Sequence, residues 1–202
     1  MSKQTLRSIL GATAPKALPT STALIAIDFQ YEYYTGSLPI PNGAEALRQA
    51  NKLINHADEK GWKVIHVQHV APKESPLFAV EGPYVGIHAD VVQKPTHRVF
   101  QKPNVSVFAG TDFAEQLKQN GITHLVICGL MTHACVAGAA RDGAAAGFEI
   151  IVVDDASATR DIAVSESLRV SHDVLHQAAL IEVSDTFGSV MNTADVLALN
   201  AA

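Results

Sequence analysis

The sequence predicts a three-layer α/β fold, a parallel sheet with helices on both faces. Two observations predict it. Short apolar runs of strand length alternate along the chain with amphipathic stretches of helical length. The 202 residues also show no internal repeat, low-complexity segment or linker, so one sheet can take in all the strands.

The elements follow in order. Residues 1–20 lack the apolar core of a signal peptide and read as an arm, one that could lie on a neighbouring subunit. Residues 21–202 read as a single domain. "TALIAID" (Thr22–Asp28) is a buried strand. Leu47, Ala50, Ile54 and Ala57 recur at helical spacing, and Gly61 stops that helix. "WKVIHVQ" is the second strand. Residues 70–96 carry four prolines and two glycines, and loops that long are usually lids or binding loops. "HRVFQK" is a short strand ending at Lys102, and Thr111 caps the helix "TDFAEQLKQNG". "HLVICG" is the fourth strand, followed by a glycine turn and a helix. "FEIIVVDD" is a strand, residues 161–177 a helix, "ALIEVS" (Ala179–Ser184) the sixth strand, and residues 188–200 a last helix.

Composition removes several function classes. Fifteen Lys and Arg stand against twenty Asp and Glu, a net charge of −5, which is no nucleic-acid footprint. No apolar run reaches the roughly 18 residues that argue a membrane span. Two cysteines, Cys128 and Cys135, make no disulfide framework, and a reducing cytoplasm is the default compartment.

In parallel sheets ligands bind beyond the carboxyl ends of the strands, where strand order reverses. Asp28 ends the first strand, Lys102 ends the third, and Cys135 opens the helix after the fourth. Together they make a chemistry. A lysine ammonium and a helix N-terminus both favour thiolate. A carboxylate can take the thiol proton and later pass it to a leaving amine. Unpaired N–H groups of the first helical turn can hold an oxyanion. Singly, each has a plainer reading: a small core residue for Cys135, a loop cap for Asp28, a solvated surface residue for Lys102. Cys128, inside its strand, reads as core.

The stretches "TALIAIDFQ", "KPNVSVFAGTDF" and "LVICGLMTHACVAGAARDGAAAGFEIIVVDDASA" resemble the isochorismatase-like cysteine hydrolases, a superfamily that includes nicotinamidases and N-carbamoylsarcosine amidases. The family's patterns fall on Asp28 and Gln30, on Lys102 with Ser106 and Phe108, and on Gly129, Thr132, Cys135 and Val136. The resemblance implies a six-stranded, doubly wound sheet of order 3-2-1-4-5-6 and an Asp28–Lys102–Cys135 triad. It implies a non-proline cis peptide at Leu130–Met131, with the Met131 and Cys135 N–H groups as the oxyanion hole. It also implies a homo-oligomer, a dimer or higher.

Departures from the family narrow the substrate. Nicotinamidases carry an Asp-x-His metal motif where this chain has "HVQHVAPKESPLF". His66 and His69 alone make a poor zinc site, so no metal or other cofactor is expected. His66 reads as strand core and His69 as a residue able to touch substrate. Phe29, Gln30 and Tyr34 follow Asp28 and are expected to border the site. Phe78 and Tyr84, with Leu77, are expected to cover it from the long loop. Arg160 is a candidate for a substrate carboxylate, with a solvated arginine as its plainer reading. His172 and His176 read as surface or interface residues. The activity expected is hydrolysis of a small amide or related C–N bond through a thioester. A vinyl-ether hydrolase and a silent binding protein of the same fold are the alternatives.

Overall fold

The structure, a computed structural model, describes residues 4–201. The arm starts as a one-turn helix, α1 (Leu6–Ile9), and continues as β1 (Ala17–Leu18). It lies on its own chain. The Leu6 N–H donates to Asp185 Oδ1 at 2.7 Å, and β1 pairs in parallel with residues Asn200 and Ala201.

β2 (Thr22–Ile27) is buried at every position because the sheet is covered on both sides. A 3₁₀ turn, Tyr31–Tyr33, leads to α2 (Gly43–Lys60). That helix buries Ala46, Leu47, Ala50, Leu53, Ile54 and Ala57, and it ends at Gly61, whose φ of 70° suits a residue without Cβ. β3 (Lys63–His69) follows. Residues 70–97 contain no helix or strand beyond isolated bridges, as the sequence predicts. Then come β4 (Arg98–Lys102), α3 (Phe113–Gln119), β5 (His124–Leu130), a π-type turn (Thr132–Val136) and α4 (Ala137–Ala145). α3 begins after Asp112, one residue later than expected, though Thr111 Oγ1 still accepts from the Phe113 N–H at 3.3 Å. β6 (Glu149–Ala158) and a small hairpin, β7 (Ile162–Ala163) and β8 (Arg169–Val170), precede α5 (His172–Thr186). β9 (Ser189–Met191), α6 (Thr193–Leu197) and β10 (Asn200–Ala201) complete the described chain.

The main sheet runs β4-β3-β2-β5-β6-β9, all parallel. That is the order 3-2-1-4-5-6, with the reversal between β2 and β5. Alternate residues feed two cores. Leu24, Ala26, Val126, Cys128 and Ile151 pack with α2, while Ile25, Ile27, Ile127 and Val152 pack with Phe113, Val136, Ala140 and Val183.

The C-terminal third corrects the sequence reading. Residues 179–184 are helix, part of α5, and not the sixth strand. Ala179, Leu180 and Val183 are buried while Ile181 is 66% exposed, which is a helical face and not a strand buried on both sides. α5 begins only at His172, whose N–H is accepted by Asp161 Oδ1 at 2.6 Å, so residues 161–171 are hairpin rather than helix. The true sixth strand, β9, and α6 divide the stretch expected as one last helix. Among the described residues no helix is long and apolar enough to cross a membrane.

Candidate active site

The carboxyl ends of β2, β4 and β5 bring Asp28, Lys102 and Cys135 together. Asp28 follows β2 with a φ of 55°, left-handed backbone in a non-glycine residue. Its N–H bonds to Val67 O at 2.9 Å and its carbonyl accepts from the Gln30 N–H at 2.8 Å. Such strain costs about 1–3 kcal/mol. One fully buried isoleucine contributes a similar amount, and Ile25 and Ile27 both lie on the preceding strand.

Lys102 ends β4 and is buried, not the solvated residue its charge alone suggests. Its ammonium donates to Asn104 O at 3.1 Å, His69 Nδ1 at 3.1 Å and Cys135 Sγ at 3.3 Å. Those three bonds use its three protons. Asp28 Oδ2 lies 2.8 Å away, as a charge contact without hydrogen-bond alignment, and Asp28 Oδ1 has no hydrogen-bond partner among the described residues.

Cys135 sits in the π-type turn, where the Ala134 and Val136 N–H groups both donate to Met131 O. The Leu130–Met131 peptide is cis. Gly129 has a φ of 137°, and a Cβ there would lie 2.1 Å from Ile27 O, so only glycine lets β5 run this close to β2. Two side-chain bonds pin the turn from outside: Thr132 Oγ1 to His176 Nδ1 at 2.8 Å, and His133 Nδ1 to Thr159 Oγ1 at 2.6 Å. His176 therefore faces inward, away from the surface role its spacing suggested.

The electrostatics reverse one expectation. Burial, reinforced by the Asp28 charge, pushes the Cys135 thiol up to about 12, although the Lys102 charge pulls the other way. Both burial and the neighbouring carboxylate therefore favour the protonated thiol. Burial also raises Asp28 above the usual carboxylate range, against the pull of the Lys102 charge. Burial and the Lys102 charge lower His69, which keeps Nδ1 free to accept from the ammonium.

The family model of the Isochorismatase domain matches residues 22–195, most of the chain. The chain belongs to the isochorismatase domain family. It is 31% identical over 190 residues to the secreted isochorismatase effector Isc1 of Verticillium dahliae, covering 94% of this chain and 97% of that protein. It is 27% identical over 191 residues to maleamate amidohydrolase of Pseudomonas putida, covering 87% and 84%. An isochorismatase crystal structure from Pseudomonas putida superposes with a TM-score of 0.86 at 29% identity, covering 95% of this chain and 97% of that one.

Other candidate residues divide on this isochorismatase frame. His69 and Phe78 join the Asp28–Lys102–Cys135 cluster, with Phe78 8% exposed and its ring edge-on to His69 at 5.0 Å and tilted to Tyr33 at 5.3 Å. Tyr33, also buried, was not singled out by the sequence, because an aromatic in a short turn reads as ordinary packing. Gln30 does not offer its amide to a ligand. It is fully buried, donating to His69 O and Val85 O and accepting from the His69 N–H, so it ties β2, β3 and the long loop together. Phe29 is core. Tyr34 points its hydroxyl to Gly43 O at 3.4 Å and packs its ring at a tilt against His88. Tyr84 is 39% exposed.

No described group of three or more His, Cys, Asp or Glu side chains is arranged to hold a metal ion. His66 Nε2 is paired with His97 Nδ1 at 3.1 Å, and His97 Nε2 with Asp58 at 3.0 Å. His69 is committed to Lys102. Turnover is therefore expected to survive exhaustive dialysis against EDTA unchanged. Loss of activity that zinc restores would overturn that expectation.

Proposed function

We propose that this isochorismatase-family hydrolase cleaves a small amide or related C–N bond through a thioester on Cys135. One observation carries the reading: a buried lysine ammonium lies at once 2.8 Å from a buried carboxylate oxygen and 3.3 Å from a cysteine sulfur. A core has no use for three such groups in contact. The name of maleamate amidohydrolase, a relative over most of the chain, supports amide hydrolysis.

The steps follow from the positions. The thiol passes its proton to Asp28 as sulfur attacks the substrate carbonyl, forming an S–C bond. The Met131 and Cys135 N–H groups hold the oxyanion. The C–N bond then breaks, and Asp28 returns the proton to the leaving nitrogen. Water, giving its proton to Asp28, cleaves the thioester and restores the thiol. Lys102 holds carboxylate and sulfur together throughout. Rapid acid quenching followed by mass spectrometry should find the acyl group on Cys135. Turnover with no adduct at any quench time would refute the thioester.

Asp28 must be ionised to act, and burial raises its pKa. The acid limb of kcat/KM is therefore expected above the ~3.9 of an ordinary aspartate, with activity lost as pH falls through it. A limb at or below that value would show that Asp28 is not the base. His69→Gln should leave the limb in place, since His69 is held neutral.

The similarity to an isochorismatase effector favours a second reading, vinyl-ether hydrolysis. Turnover of isochorismate that survives Cys135→Ala would establish it.

A further inference from the structure

We propose that His176 is a positioning residue for the oxyanion hole, holding the nucleophile turn in the one backbone register that keeps the Cys135 N–H off Met131 O. The inference rests on the hydrolase reading above and adds a residue of α5 to its machinery.

The turn has two ways to close. In an ordinary α-helical register the Cys135 N–H would donate to Met131 O and the Val136 N–H to Thr132 O. Here the Val136 N–H reaches back to Met131 O at 3.3 Å, and the Ala137 N–H reaches back to Thr132 O. Met131 O takes a second bond from the Ala134 N–H at 3.1 Å. A carbonyl has two lone pairs, so this one is filled without Cys135. Wide turns of this type are rare and recur at functional sites.

The contact that selects the wide register is at Thr132. This residue is 1% exposed, and its hydroxyl pairs with His176 Nδ1 at 2.8 Å. A threonine inside a helix more often bonds a carbonyl of the preceding turn. His176 is itself anchored. Leu180 and Val183, four and seven residues further along α5 and so on the same face, are buried in the core that also holds Val136 and Ala140. Return to the α-helical register shifts the bonding by one residue. With α4 held by that core, the residues before Cys135 would turn by about 100° around the helix axis. Thr132 would be carried away from α5. The bond to His176 therefore belongs to the wide register alone, and His176 acts on the oxyanion hole through Thr132.

The test compares two reactions of one sulfur. p-Nitrophenyl acetate acetylates Cys135 through a tetrahedral oxyanion: an S–C bond forms, the C–O bond breaks, p-nitrophenolate leaves and the thiol proton passes to Asp28. Iodoacetamide alkylates Cys135 by direct displacement of iodide, with the same proton transfer and no oxyanion. His176→Leu should lower the ratio of acetylation to alkylation rates by about 10-fold or more. Thr132→Val should do the same, and the double variant should be no worse than the poorer single one. His176→Asn, whose side-chain amide reaches the place of Nδ1, should recover the ratio to within about threefold of wild type. General loosening of the site would slow both reactions together and leave the ratio alone. A wild-type ratio in His176→Leu and Thr132→Val, or additive losses in the double variant, overturns this proposal alone. Thr132→Val, nearly isosteric, decides the matter if His176→Leu is unstable. Mass spectrometry that finds no acetyl group on wild-type Cys135 overturns the hydrolase reading, and this one with it.

Discussion

Cys135→Ala should lower turnover by at least about 10⁴-fold, because attack and thioester formation both end with the sulfur. Cys128 provides the internal control. It is fully buried in β5, facing the α2 side, and its thiol is likewise pushed up to about 12 by burial, but it has no lysine contact. Cys128→Ala should leave kcat/KM within about threefold and cost about 1 kcal/mol in stability from the small cavity. Steady-state kinetics and denaturant melts on both variants make the comparison. Equal losses at the two positions, or modification of Cys128 first in peptide mapping with iodoacetamide, would remove Cys135 as nucleophile.

The second large effect belongs to Lys102→Met. The side chain is buried, so its loss strips Asp28 of its countercharge inside the protein. Removing one member of a buried pair typically costs about 3–5 kcal/mol. Asp28 can soften that by taking a proton, since its pKa rises further once the ammonium is gone. A protonated Asp28 cannot serve as base, and turnover should fall by about 10³-fold or more. The proton also leaves a thermodynamic mark. A carboxyl whose folded pKa is raised contributes stability below its unfolded pKa and loses it as pH rises through the folded value. The variant's melting temperature should therefore drop more steeply than wild type's as pH rises above the ordinary aspartate value of ~3.9. Asp28→Asn combined with Lys102→Met should recover much of the stability, flatten the pH dependence and remain inactive. A single variant that keeps wild-type activity and the wild-type pH dependence of melting would show that the lysine is structural.

Legibility in the sequence followed burial. β2 and β5 stood out because both faces are covered, which leaves uninterrupted apolar runs such as Leu24–Ile27 and Leu125–Cys128. β9 did not, being a three-residue edge strand, Ser189–Met191, without an apolar run. The run 179–184 imitated a strand because Ile181, an exposed apolar residue, filled the gap in a helical face. That Asp28, Lys102 and Cys135 lie together was legible from their places at strand ends. The depth of Lys102 was not, since only the packing of neighbouring loops closes over it. The turn at Asp28 carries no glycine to announce its positive φ. Gln30 was placed beside the substrate because chain proximity to Asp28 cannot tell an amide aimed at a ligand from one aimed at backbone.

The near-closure of the site has a kinetic consequence. Asp28 and Lys102 are at most 1% exposed and Cys135 5%, and Phe78 packs on the His69 that contacts Lys102. Access for a reagent larger than water is expected to require movement of the 70–97 segment, which carries Phe78. At low reagent the alkylation rate should rise in proportion to concentration. At high reagent it should level off at the rate of opening, and that plateau should be the same for reagents of different intrinsic reactivity. Cys135 thus acts as a clock for its own cover. If product release waits on the same movement, the plateau also sets a ceiling on kcat.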